Sequence, residues 1–259
     1  MPLYNVNAIV IKRISLGETD RILTLLTRDH GKIGVVAKGS RRSGSRLTGA
    51  SELFIHGKYL LASGKSLGIV SQVEILDTFP MVRRDMLSIA RASYFCELSD
   101  RFIEEHQPDT ETFDLLLNTM NELQMQTAPP EVLRHYFEMQ LLILHGYTPQ
   151  LDSCVRCNAI TETGLSYSPS LGGILCERDR YSSADSFPVG PQTVDLLQTL
   201  SFCSRPDLTD ISTSQTSLSE AARVLRWTIR FRIDRDVKSA EFLDLLLRTD
   251  DAVPVAMAS

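Results

Sequence analysis

The 259-residue sequence lacks any long hydrophobic run. Its longest apolar stretches, such as Leu141 to Leu144, fall far short of the roughly 20 residues that a membrane-spanning helix requires. The opening Met-Pro-Leu-Tyr-Asn-Val has neither a basic leader nor an apolar core of signal-peptide length, so a soluble cytoplasmic protein with no membrane partner is expected. Cysteine is scarce and odd in number, at five, which argues against a disulfide scaffold. Histidine is equally scarce: His30, His56, His106, His135 and His145 form no His-Glu-x-x-His pair, and none sits in a nucleophile elbow. Ser63-Gly64-Lys65-Ser66 carries the Gly-Lys-Ser of a phosphate-binding loop. The glycine that such a loop needs at position 59 is Tyr59, so a hairpin turn is expected instead. Adjacent carboxylates such as Glu104-Glu105 and Asp250-Asp251 are poorly arranged for metal-assisted phosphodiester chemistry. There is no internal repeat. These absences leave no catalytic constellation, and the expectation is a protein that is not an enzyme.

What is present is an ordinary globular mix, 43% hydrophobic and 23% charged, with a formal net charge of −5. That total conceals an asymmetry. Through residue 84 there are 13 basic and 6 acidic residues, a balance of +7, while the remainder carries −12. Such a split is either scatter on solvated surfaces or a sign that different parts of the chain meet different partners.

The first eighty residues read as strands. Runs rich in branched residues at Asn5–Ile14, Asp20–Thr27, Lys32–Lys38, Leu53–Leu61 and Leu67–Leu76 are bounded by turn residues. Asp20–Thr27 also fits a helical turn. Five short strands with no intervening helix suit a small closed barrel such as an OB-fold. After Phe79-Pro80 the apolar period becomes helical over about 83–105 and again from Phe113 to Met120. A third helix starts at Pro129-Pro130 and stops at Gly146. A final helical pair is expected at about 191–201 and 217–248, after an aperiodic stretch from 152 to 190.

Cys96 lies on an apolar helical face and reads as a core residue. Cys154 and Cys157 instead form a Cys-x-x-Cys knuckle, and about twenty residues later Cys176 and Asp179 stand where a zinc ribbon has its second pair. Three thiolates and a carboxylate can hold one structural zinc; a ribbon kept together by packing alone is the alternative. Cys203 is a weaker substitute ligand.

Two basic features stand out. From Arg28 to Arg46 the chain holds Arg28, Lys32, Lys38, Arg41, Arg42 and Arg46 against Asp29 alone, with small residues around the last four. A mobile loop of this kind can lay cations, hydroxyls and backbone N–H groups along successive phosphates, although it also suits a simply solvated loop. Arg223, Arg226 and Arg230 fall on one helix face, with Leu225, Trp227, Ile229, Phe231 and Ile233 around them. That stripe suits nucleic acid or an acidic peptide, or ordinary ion pairing with Asp234, Asp236 and Glu241.

These pieces occur together and in order in one family. Glu18 to Thr27, His30-Gly31-Lys32, Val36 to Arg42, the run from Leu142 to Cys157 and the closing Val237 to Leu243 resemble the RecO family of bacterial recombination mediators. The likeness spans about residues 5–246. It implies an α+β multidomain protein with an N-terminal OB-fold β-barrel, then an α-helical domain bearing a zinc-ribbon-like insertion. The expected division is 1–80 for the DNA-binding barrel, 81–150 and 188–250 for the helical domain, 151–187 for the insertion and 251–259 for a flexible tail. It further implies binding of single- and double-stranded DNA, annealing of complementary strands, and work with RecR to load RecA onto strands coated by single-strand DNA-binding protein (SSB). By the family pattern Lys38, Arg41, Arg42 and Arg46 fall in the DNA-contacting loop, and the helical region docks the acidic SSB tail. A nucleoid-associated location in the cytoplasm follows. Asp179 departs from the four-cysteine ribbon. The barrel alone also fits an RNA- or ribosome-associated protein with a zinc ribbon.

Overall fold

The computed structural model of the chain describes residues 2–64, 66–160, 162–203, 205–233 and 237–251. Lys65 of the expected hairpin turn, Asp234 and Asp236 of the expected ion pairs, and residues 252–259 of the expected tail lie outside them. The described residues form two compact units. The first runs to Met125 and includes Val237–Asp251; the second runs from Gln126 to Ile233. Among them no helix is long and apolar enough to cross a membrane.

Five strands, β1 (Leu3–Leu16), β2 (Asp20–Thr27), β3 (Gly31–Ala37), β4 (His56–Ala62) and β5 (Gly68–Asp77), close into a barrel in the order β1-β2-β3-β5-β4. Neighbours are antiparallel except β3 and β5, the arrangement of an OB-fold. Asp20–Thr27 is a strand because it has ladder partners on both sides, and alternation sends Leu23 and Leu25 into the core beside Val6, Ala8, Val10, Ile33 and Val35. Val10 pairs with Leu25 but Lys12 with Thr24, so Ile11 is an extra residue that bends β1. Beyond this bulge Lys12 to Leu16 are all exposed, and the β1–β2 hairpin continues as an arm past the barrel core.

Among the described residues seven α-helices accompany the strands: α1 (Leu47–Ala50), α2 (Met86–Phe102), α3 (Thr110–Met125), α4 (Pro130–Leu144), α5 (Pro191–Phe202), α6 (Gln215–Ile233) and α7 (Lys238–Asp251). Asp85 caps α2 by accepting from the Ser88 N–H at 2.8 Å, and Asp109 does the same for Thr112 of α3 at 2.9 Å. Cys96 is buried in α2, as expected of a core residue. The single helix expected over 217–248 is two. At the start of α7 the Lys238 and Ser239 N–H groups, which have no preceding helical turn to bond, donate instead to the Glu97 carboxylate on α2 (3.3 and 2.8 Å). α6 thus belongs to the second unit and α7 packs on α2 in the first.

In the second unit α4, α5 and α6 pack on one another, beside a small sheet of β6 (Ser166–Ser168), β7 (Gly173–Leu175) and β8 (Phe187–Pro188) in the order β7-β6-β8. His135 is a packing residue here. It lies fully buried between Glu138 (2.9 Å) and the Leu218 carbonyl (3.1 Å), joining α4 to α6.

Candidate nucleic-acid interface

The basic stretch after β3 is a chain of turns. Arg42 N–H donates to Gly39 O (3.0 Å), Ser45 N–H to Arg42 O (3.2 Å) and Thr48 N–H to Ser45 O (3.1 Å). Gly39 opens the chain at φ +66°, a conformation that side chains resist. The turns are tied to the tip of the β1–β2 arm. Asp20 Oδ1 accepts from Gly39 N–H and Thr19 Oγ1, both at 2.8 Å, and the Arg41 N–H and guanidinium donate to the Thr19 and Gly17 carbonyls (2.9 and 3.0 Å). The Gly39 hydrogen bond above all holds the Asp20 carboxyl below its usual range. Lys38, Arg41, Arg42 and Arg46 are therefore presented together and exposed. None of the four forms an ion pair among the described residues.

The other two expected phosphate ligands are engaged elsewhere. Arg28 grips Asp114 of α3 with two parallel hydrogen bonds of 3.1 and 2.9 Å, and Lys32 bonds the Asp100 carboxylate (3.0 Å) and carbonyl (2.5 Å) on α2. These pairs fasten the barrel to its helices. Sequence reasoning missed the partners because Asp114 and Asp100 lie 86 and 68 positions away. It also missed Glu52, whose two carboxylate oxygens pair with Arg13 and Arg21 on the hairpin arm.

Arg223, Arg226 and Arg230 are all exposed along α6. The Arg223 guanidinium lies 4.0 Å over the Phe187 ring, and that of Arg230 lies 5.4 Å from the Trp227 ring. The apolar residues around them divide by face: Leu225 and Ile229 are buried, whereas Trp227 and Phe231 are 44% and 51% exposed. The helix is held by the small sheet, through Tyr167 Oη and Thr228 Oγ1 at 2.7 Å.

Cys154, Cys157, Cys176 and Asp179 converge, with ligand atoms all within 4.8 Å of one another. Cys154 N–H donates to Ala159 O, and Val155 N–H to Ile174 O on β7, which docks the knuckle beside Cys176. The Cys157 and Cys176 sulfurs are 3.7 Å apart, and Asp179 Oδ2 is 3.4 Å from those of Cys154 and Cys176. Tetrahedral zinc, with bonds of about 2.3 Å to sulfur and about 2.0 Å to oxygen, needs edges of about 3.8 and 3.5 Å, so this set fits the ion. Burial opposes ionisation of Cys154, but backbone N–H groups of Cys176, Cys157 and Arg156 hold its thiol below the usual value. The bond to Asp179 pushes Cys157 up to about 12. Cys203 caps α5 and is not part of the cluster.

Comparison with known proteins agrees with this architecture. Residues 1–79 match the family described as Recombination protein O N terminal, and residues 83–241 match Recombination protein O C terminal. The chain is 35% identical to a protein named DNA repair protein RecO from Symbiobacterium thermophilum, over 95% of this chain and 98% of that one. It is 36% identical to one so named from Roseiflexus sp., over 99% and 92% of the two chains. A third, from Bacillus velezensis, is 33% identical over 93% and 94%.

Proposed function

The chain belongs to the RecO family of DNA repair proteins, and from that premise we propose that it is a non-catalytic recombination mediator. In this reading it binds single- and double-stranded DNA, anneals complementary strands, and with RecR helps load RecA onto SSB-coated strands. The observation that carries the reading is the cluster of Lys38, Arg41, Arg42 and Arg46, exposed at one end of the barrel and in no ion pair among the described residues. Annealing requires two polyanions to approach, and cations that displace condensed counterions lower that barrier without any bond chemistry. Charge alone does not read sequence, so the cluster suits a protein that acts wherever strands are exposed. Zinc held by Cys154, Cys157, Cys176 and Asp179 would cross-link the knuckle to β7 and serve the fold alone.

The test is annealing of complementary oligonucleotides labelled with a fluorescence donor and acceptor, with and without an SSB coat. The native protein should accelerate pairing in both cases, and a variant with Ala at Lys38, Arg41, Arg42 and Arg46 should lose most of the acceleration. Annealing by the native protein at the uncatalysed rate would overturn the reading.

A further inference from the structure

We propose that the exposed face of α6 is a second nucleic-acid site, one that stacks the unpaired bases of single strands on Trp227 and Phe231 while Arg223, Arg226 and Arg230 meet the phosphates. It rests on the reading that the protein binds DNA and assigns a separate chemistry to the second unit.

The geometry of the helix carries the first part. With 3.6 residues per turn, positions 223, 226, 227, 230 and 231 fall within a single arc, opposite the buried Ala221, Val224, Leu225, Thr228 and Ile229. Trp227 is the only tryptophan of the chain. Tryptophan is highly buried on average, yet this one keeps nearly half its surface open, and Phe231 one turn on does the same. Arg230 beside Trp227 and Arg223 over Phe187 set guanidinium planes among the rings. Base faces stack on aromatic rings and on arginine alike.

Charge carries the second part. From Ala221 to Ile233 the helix holds no acidic residue, and three of its four arginines, Arg223, Arg226 and Arg230, lie on this face. Such a face attracts a polyanion. The turn chain on the barrel differs: the large apolar residues exposed on its neighbouring hairpin arm, Ile14 and Leu16, are aliphatic. The described barrel cluster offers cations to phosphates, and α6 sets cations beside two exposed rings. Bases in a duplex are already stacked, so the α6 face should prefer single strands. An acidic peptide with an apolar end would use the same arginines, but it needs an enclosed pocket for that end. Among the described residues, two clefts of about 630 and 440 Å³ in this unit are lined by neither ring.

Because Trp227 is the only tryptophan, emission excited beyond the tyrosine absorption band reports this face alone. The full-length protein is titrated with an oligo(dT), an abasic oligomer of equal length, a duplex, and an acidic peptide ending in Phe, while the anisotropy of a labelled oligo(dT) measures binding independently. Oligo(dT) should quench Trp227, in the native protein and in the variant with Ala at Lys38, Arg41, Arg42 and Arg46. The abasic oligomer and duplex should leave emission nearly unchanged. Trp227→Ala should weaken single-strand affinity at least about fivefold and leave duplex affinity within about twofold, and Trp227→Tyr should restore most of the loss. Oligo(dT) binding with unchanged emission, together with a silent Trp227→Ala, would overturn the site and leave the DNA reading standing. Quenching by the peptide but not by oligo(dT) would overturn it in favour of a peptide dock. No oligo(dT) binding by anisotropy would remove the DNA reading and this site with it.

Discussion

Lys32 and Arg41 belong to one basic stretch, yet Lys32 is tied to Asp100 while Arg41, among the described residues, donates to main-chain carbonyls and keeps its charge at the surface. Composition shows that the stretch is cationic, but which cations remain available depends on carboxylates brought in by the tertiary fold. The metal cluster was more legible, since its ligands are close in sequence and only their convergence had to be supplied. Protein reconstituted with zinc should hold about one ion per chain; Asp179→Ala should weaken retention against a chelator by about tenfold or more, and Asp179→Cys should not. Identical retention in native protein and Asp179→Ala would show that the carboxylate is no ligand. His56 gives the barrel a pH dependence. Burial holds its imidazole below the ordinary 6.5, with Asp77 opposing, and Nε2 lies 2.8 Å from Asn7 Oδ1. A depressed folded value means that the contribution to stability is present above 6.5 and is lost as pH falls through the folded value. Denaturant unfolding at about pH 8 and about pH 5.5 should show a loss on acidification that His56→Gln reduces; equal losses in the two proteins would contradict this.

Among the elements, the strands were legible because half-buried strands alternate, and α4 because Pro130 opens it and its apolar face repeats. The start of α7 was not, since its first N–H groups are capped by Glu97, more than a hundred positions away. The expected loop at Lys38–Arg46 became a chain of turns for a similar reason: its anchors, Gly17, Thr19 and Asp20, lie on another hairpin. Gly31 shows how tightly the barrel meets the segment after α2. It adopts φ +65°, and an added Cβ would collide with the Gln107 main chain, while His106 N–H donates to Lys32 O at 3.0 Å. Gly31→Ala should therefore destabilise the first unit by about 2 kcal/mol or more in urea unfolding. An unchanged midpoint would mean that this contact does not persist in solution.

Across the whole molecule, the net charge of −5 combines a positive first third with an acidic remainder that still carries an arginine-lined helix. Mean acidity therefore says little about DNA, because binding depends on where uncompensated cations gather. The central claim is that Arg41, Arg42 and Arg46, beside Lys38, hold DNA through its phosphates. The salt dependence of DNA affinity tests this most directly, because each phosphate contact adds about 0.7 to 0.9 to the slope of log K against log salt. Replacing Arg41, Arg42 and Arg46 together with Ala should weaken binding and lower the slope by about 2 to 3; a variant with the native slope would contradict the account.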